Sequence, residues 1–563
     1  MPAANRVLSL AACITLAACA STSSRTTTAD LTTIDVPAVT HPQGETPAWW
    51  YRSGAARAAG NGAMRGRAKN VILFLGDGMS LTTVAAARIL DGQRQGAPGE
   101  EHLLSWEHFP HTAFAKTYNT DSQTPDSAGT MTAIASGVKS HIGAIGVSAG
   151  KRDDCAQALR NRLLTWSELA DSAGMAVGVV TTTRLTHATP AATYSHSPDR
   201  NWENDTDLPE DAKTRGCTDI AQQLLSASRF GRGPQVALGG GRGEFLPVSE
   251  RDPEHDDKVG QRLDGRDLTA EWRRSHANGA YVWNARELDA AKDAPAVLGL
   301  FEYDHMQYEH DRNKGADGEP DLAAMTRFAI ETLSRDPDGY VLMVEGGRID
   351  HAHHEGNAYR ALDETTSLSR AVQAAIDATS AGDTLIVVTA DHSHTLSFAG
   401  YPVRGNPILD KVRGRGGEDD SGDGYARDAM GLPYTTLGYA NGPGYSGASN
   451  QQPAGPKTHL HQPSNFDAAI GRPDLNNADT QAPDYMQETI VPLKSETHGG
   501  DDVGIWARGP GSDAFRGTLE QNVIYHVIVQ ATPTLRERLC AAGTCNGDGV
   551  PVELPKPADF EKR

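Results

Sequence analysis

The strongest constraint on this chain is a type of apolar run that recurs with the same kind of ending. From Asn70 the sequence reads Asn-Val-Ile-Leu-Phe-Leu-Gly-Asp-Gly-Met, continuously apolar and closed by Gly76 and Asp77. A strand with one wet face alternates polar and apolar residues, so an unbroken run belongs to a strand covered on both faces. Comparable runs lie at Ala176 to Thr181, Gln235 to Leu238, Gly339 to Glu345 and Asp383 to Asp391, with helical segments between them. This alternation implies an α/β three-layer sandwich with a mostly parallel central sheet, in which ligands bind beyond the carboxyl ends of the strands. The polar residues that close the runs are therefore the candidates for chemistry.

Thr124-Pro-Asp126-Ser127-Ala-Gly-Thr130 puts a serine at the start of an expected helix, 128–136, where free N–H groups and the helix dipole favour a phosphate. Asp350 and His354, four apart in Glu345-Gly-Gly-Arg-Ile-Asp-His-Ala-His-His, share one helical face and can grip one metal ion. Thr389-Ala-Asp391-His392-Ser-His394 closes another apolar run, and Ser495-Glu-Thr-His498-Gly-Gly adds a further imidazole. Each alone has a plain explanation, since an Asp or Ser after a strand is commonly a helix cap. Together Asp77, Asp350, His354, Asp391, His392 and His498 offer nitrogen and oxygen ligands for two zinc ions with open positions, and no thiolate competes.

Composition narrows the partners. A formal net charge of −20 over 563 residues opposes a nucleic-acid-binding role. Residues 7–19 form an apolar stretch after Arg6, too short to span a bilayer and shaped like a secretory signal, so the chain is expected to be exported. Leu-Ala-Ala-Cys19 resembles the lipobox of bacterial lipoproteins, which implies lipidation of Cys19 and membrane contact only through that anchor; a plain cleaved signal is the alternative. Expected locations are the outer membrane or periplasm of a bacterial envelope, anchored or released. Outside the export segment Cys155, Cys217, Cys540 and Cys545 can pair three ways. Sequence proximity favours Cys540 with Cys545, leaving Cys155 with Cys217; a four-thiolate zinc site is the weaker reading, because no Cys-x-x-Cys pair is present.

The expected organisation is a signal peptide at 1–18, a tether at 19–45, an N-terminal helix arm at 46–65, a catalytic α/β domain from 66–401 and 493–545, and a tail at 546–563. Residues 402–492, rich in Gly, Pro, Asp, Asn and Tyr, are expected as an insertion outside the sheet, and 248–264 as an acidic surface loop.

The motifs around Asp77, Ser127, Glu345 to His354, Asp391-His392-Ser-His and Glu-Thr-His498-Gly-Gly resemble, in the same order, those of the alkaline phosphatases, and are closer to the animal enzymes than to the enterobacterial one. The resemblance runs from about Thr46 to Cys545. It implies hydrolysis of small phosphate monoesters of broad range through a phosphoserine at Ser127. It also implies one zinc held by Asp350, His354 and His498, a second held by Asp77, Asp391 and His392, and a magnesium held by Asp77, Glu345 and Thr189. Arg200, in Ser-Pro-Asp-Arg200-Asn-Trp, would grip phosphoryl oxygens, with Asp126, His187, His351 and His394 in supporting positions. His187 and His351 stand where the enterobacterial enzyme has Asp and Lys, which implies looser magnesium and weaker retention of phosphate. Glu254, Phe301, Glu302 and Glu319 are similar to a calcium-binding set in animal enzymes, although Glu319 is one methylene longer than the Asp expected there. The insertion resembles the family's crown, with an extra stretch near 413–430, and a homodimer embraced by the N-terminal helix is implied. The alternatives are a phosphodiesterase or sulfatase on the same kind of sheet, or a non-catalytic metal-binding envelope protein.

Overall fold

The computed structural model describes residues 34–40, 44–148, 154–414, 422–469 and 471–562; the export segment with Cys19 lies outside them. Ten strands form the main sheet, of which eight, in chain order, are β1 (Asn70–Gly76), β2 (His111–Lys116), β3 (Ala176–Arg184), β4 (Val236–Gly240), β5 (Ala280–Val282), β6 (Val297–Leu300), β7 (Tyr340–Gly346) and β8 (Thr384–Ala390). The other two are Val503–Arg508 and Thr518–Glu520, and the spatial order is Thr518–Glu520, β2, Val503–Arg508, β8, β1, β7, β3, β4, β6, β5. Only Val503–Arg508 runs against the rest, antiparallel to both β2 and β8. β7 and β8 are buried at every position, and β1 at all but its first, as expected of strands sandwiched on both faces.

Register explains why chemistry gathers at one edge. Leu75 of β1 pairs with Glu345 of β7 and with Thr389 of β8, and Glu345 pairs with Thr181 of β3. The residues just beyond, Asp77 and Asp391, therefore emerge side by side at the carboxyl end of the sheet. The turn after β1 depends on Gly78, whose φ is +65°; a Cβ there would lie 2.2 Å from the His394 ring, and its N–H donates to Asp391 Oδ1 at 3.0 Å.

Helices cover the sheet. Helix α1 (Pro47–Gly60) is capped by Thr46, α2 (Leu81–Arg94) follows β1 by way of the Ser80 cap, and α3 (Ser127–Ser136) is capped by Asp126. Helices Leu322–Leu333 and Ala358–Ala378 pack together with α2, while α3, Trp166–Ser172, Val523–Ala531 and Pro533–Ala541 form a second group. Helix α1 lies on Val523–Ala531 of its own chain so closely that a Cβ on Gly54 would come within 2.4 Å of His526. Ahead of it, the Pro37 carbonyl accepts from the Trp49 indole at 2.7 Å. The C-terminal stretch folds back and buries Val550, Val552 and Phe560.

Residues between β8 and Val503–Arg508 form small sheets of their own: Leu396–Phe398, Leu437–Gly442 and Thr489–Pro492 in one, Lys457–Thr458 with Tyr485–Met486 in another. The loop 248–264 is less superficial than its acidity suggests, because Arg262 is fully buried between Asp219 and Asp264. Disulfides join Cys155 to Cys217 and Cys540 to Cys545, with Cα atoms 5.9 and 4.8 Å apart. Among the described residues no helix is long and apolar enough to cross a membrane.

Candidate active site

Asp350 and His354 sit four apart on the helix Arg348–His354 that follows β7, and His498 arrives by antiparallel pairing of His498–Gly499 with Ser393–His394. His354 Nε2 lies 3.3 Å from Asp350 Oδ1 and 3.0 Å from His498 Nε2, and His498 Nε2 lies 3.4 Å from Asp350 Oδ1. Donors on a tetrahedral ion at about 2.0–2.1 Å stand about 3.3 Å apart, so this triangle has the right size. Protonation supports the same conclusion. His354 Nδ1 donates to the Glu496 carbonyl at 2.5 Å and His498 Nδ1 to the Pro125 carbonyl at 2.7 Å. In their neutral forms both rings therefore face each other with bare Nε2 lone pairs, a repulsion relieved either by a cation between them or by a proton on His354, which burial opposes and Asp350 favours.

A second triangle lies deeper. His392 Nε2 is 3.3 Å from Asp77 Oδ1 and 3.3 Å from Asp391 Oδ2, and all three residues are fully buried. Ser127 Oγ, at the first turn of α3, is 3.1 Å from His392 Nε2 and 3.5 Å from Asp77 Oδ1, so it supplies a fourth corner. Burial, with Asp391, Asp350 and Glu345 nearby, pushes the Asp77 carboxyl far above its usual range, and burial also raises Asp391. Burial drives His392 well below the ordinary imidazole value. Carboxylates this crowded must take up protons or a cation.

Beside it, Asp77 Oδ2, Glu345 Oε1 and Thr189 Oγ1 are buried and without a hydrogen-bond partner, three hard oxygens suited to magnesium. Burial raises Glu345 to about 7, against donation from Thr181 to its other oxygen. His187 offers a nitrogen to the same group, within 4.8 Å of the Asp77 and Glu345 ligand atoms.

Arg200 reaches toward this edge, donating from Nη1 to Asp126 Oδ2 at 3.2 Å and from Nη2 to His187 Nε2 at 3.0 Å. Asp126 also caps α3 through Gly129 N–H and accepts from Gly143 N–H, both at 3.0 Å, which ties the arginine to the helix that carries Ser127. His394 bridges Asp350 at 2.7 Å and Glu496 at 2.5 Å; burial disfavours its charge, but the two carboxylates prevail and raise it to about 10. His351 accepts from Arg348 at 2.7 Å.

The set matched to calcium lies elsewhere. Glu302 and Glu319 are joined through Gln307, whose side chain donates to one and whose N–H donates to the other, each at 3.0 Å. Glu254 accepts from Arg242 at 2.6 Å, Glu302 pairs with His255 at 2.7 Å, and Phe301 is buried next to Glu302. Three residues of the site have no counterpart in the sequence reading: Glu496, which orients His394; His353, held between Thr83 and Tyr439 at 3.0 and 2.7 Å; and His305, packed beside His187 and His351. Glu496 and His353 lie inside motifs already singled out, though no role was given to them, and only His305 carries no local motif.

Fold and site together define an α/β protein with candidate metal-binding groups gathered at the carboxyl end of its sheet. Comparison with known proteins makes this specific: the family model for alkaline phosphatase matches residues 68–534. The chain is 44% identical over 473 residues to the chicken tissue-nonspecific alkaline phosphatase, covering 82% of this chain and 84% of that one. It is 42% identical over 473 residues to the human tissue-nonspecific isozyme, covering 82% and 83%, and 42% identical over 477 residues to the Atlantic cod (Gadus morhua) enzyme, covering 83% and 92%. Among solved structures, the Thermus thermophilus alkaline phosphatase shares the fold with a TM-score of 0.57 at 24% identity, covering 85% of this chain and 96% of that one. The enzyme of the Antarctic bacterium TAB5 does so at 0.53 and 21%, covering 83% and 98%. The chain belongs to the alkaline phosphatase family, on its animal-type side, and is a phosphoric monoester hydrolase.

Proposed function

We propose that the chain is an exported alkaline phosphatase that hydrolyses phosphate monoesters by transient phosphorylation of Ser127. Zinc is assigned to Asp350, His354 and His498 and to Asp77, Asp391 and His392, and magnesium to Asp77, Glu345 and Thr189. When bound, these ions act as Lewis acids that lower the pKa of the serine hydroxyl and of water and offset the charge on the leaving oxygen. Ser127 Oγ gives up its proton to water and attacks phosphorus in line with the ester oxygen; that P–O bond breaks and the leaving oxygen takes a proton from water to depart as the alcohol. Water then attacks phosphorus and loses a proton, the bond to Ser127 Oγ breaks, the serine oxygen regains a proton, and inorganic phosphate departs. Arg200 holds the non-bridging oxygens through both displacements, on a guanidinium whose plane Asp126 and His187 fix beforehand.

The observation that carries this reading is the placement of Ser127 Oγ within 3.1–3.5 Å of the buried donors of His392 and Asp77, at the N-terminus of α3. Ser127→Ala is expected to retain its zinc and lose at least about a hundredfold in phosphate release. Acid quenching during turnover of labelled substrate should trap phosphate on Ser127 in the parent; an unlabelled serine, or a fully active variant, ends the assignment. A diesterase or sulfatase is the second reading, and the Arg200 clamp and magnesium oxygens favour a dianionic monoester over it. Nitrophenyl phosphate should therefore turn over faster than its diester.

The two disulfides suit an oxidising compartment, which supports export. We assign lipid anchoring at Cys19, a homodimer and a broad range of small phosphate monoesters to the same reading.

A further inference from the structure

We propose that His305 is a positioning residue for the Arg200 clamp, acting through the ring of His187; the inference rests on Arg200 gripping the phosphoryl group. The two side chains that hold Arg200 are themselves held unequally. Asp126 is fixed by three donors, Gly129 N–H and Gly143 N–H at 3.0 Å and Asn119 Nδ2 at 3.2 Å. His187 is buried, accepts from Arg200 on Nε2, and has no hydrogen-bond partner on Nδ1. Beyond the Arg200 bond and any cation shared with Asp77 and Glu345, rotation of its ring is restrained by what touches its faces and edges.

Two of those neighbours are imidazoles. The His305 ring centroid is 5.3 Å away with its plane at 80°, and that of His351 is 5.4 Å away at 75°. His305 and His351 also meet each other at 4.3 Å. Of the two, His305 is tied to the sheet: its Nδ1 accepts from the backbone N–H of Arg184, the last residue of β3, at 3.1 Å. The Arg184 side chain grips Glu203 through two hydrogen bonds of 2.8 and 2.7 Å, and Glu203 lies three residues past Arg200. The end of β3 thus aims His305, the His305 edge fixes the plane of His187, and His187 Nε2 sets the direction of one Arg200 nitrogen. A bidentate fork tolerates little rotation, so loosening His187 blunts phosphate capture before it affects the chemistry at Ser127.

The test uses the metal-loaded full chain and inorganic phosphate as probe. His305→Asn keeps an acceptor for Arg184 N–H but removes the ring. It is expected to raise both KM for nitrophenyl phosphate and the inhibition constant for inorganic phosphate about fivefold, the worth of one hydrogen bond, with kcat and zinc and magnesium content unchanged. His305→Phe, which keeps an aromatic edge against His187 but loses the acceptor for Arg184 N–H, should recover part of that loss. In an Arg200→Ala background His305→Asn should add nothing. Unchanged phosphate inhibition in His305→Asn, or losses that multiply with those of Arg200→Ala, overturn the inference while leaving the clamp intact. If Arg200→Ala itself leaves phosphate inhibition unchanged, the clamp reading falls and the inference with it.

Discussion

Two clusters of carboxylates and imidazoles, one buried at the carboxyl end of the sheet and one shared between the 248–264 loop and the residues beneath it, have their acidic groups satisfied in opposite ways. At the sheet edge, Asp77 Oδ2 and Glu345 Oε1 have no donor, and the Nε2 atoms of His354 and His498 stand 3.0 Å apart. Under the loop each acid has a protein donor: Arg242 for Asp252 and Glu254, His255 and Gln307 for Glu302, and Gln307 for Glu319. The contrast teaches that acidity and burial alone do not mark a strong cation site. Lone pairs that converge with no proton between them do.

The largest effect should come from breaking the first cluster. Asp350→Asn leaves His354 and His498 without their anionic partner, and phosphate release should fall at least about a thousandfold, with zinc lost by elemental analysis. Next in size, Glu496→Gln removes one of the two carboxylates that keep His394 protonated against Asp350; zinc affinity should drop about 10–100-fold in a chelator competition. After chelation, zinc with magnesium should restore the unfolding temperature, whereas calcium alone should add less than about 1 kcal/mol, because the loop cluster already has its donors. A large calcium shift would break the contrast.

The smallest effect concerns Glu319, which burial, with Glu302 and Glu254 nearby, raises from 4.5 to about 8. Its folded form holds a proton that the unfolded chain releases, so its contribution to stability is full below pH 4.5 and is lost as pH rises toward 8. Glu319→Gln should match the parent near pH 5 and exceed it by on the order of 1 kcal/mol near pH 9, read from urea midpoints.

Much of the sheet was legible because β1, β3, β4, β7 and β8 are central and buried on both faces, which forces unbroken apolar runs. β2 escaped because it is half-exposed, with Phe114 turned to solvent, and β5 has only three residues. Helix α3 begins at Ser127, one residue before its expected start, so the candidate nucleophile is the first helical residue and Asp126 the cap. The six candidate zinc ligands were readable as motifs because Asp77, Asp391 and His392 follow apolar strands, Asp350 and His354 share a helix face, and His498 stands beside two glycines. The roles of Glu496, inside the last motif, and of His305, outside any, were not, since they arise from pairings across 102 positions to His394 and 121 positions to Arg184, which leave no trace in local spacing.

The one strand that runs backwards has a temporal consequence. His498 enters the site only through the hairpin-like pairing that precedes Val503–Arg508, after the whole insertion has been made. A nascent polypeptide that stops short of position 498 therefore holds Ser127, Arg200 and five of the six candidate zinc ligands yet has one metal pocket open on a side. Truncation before His498 is therefore expected to cost zinc content and phosphate release together, with the rest of the candidate site still encoded.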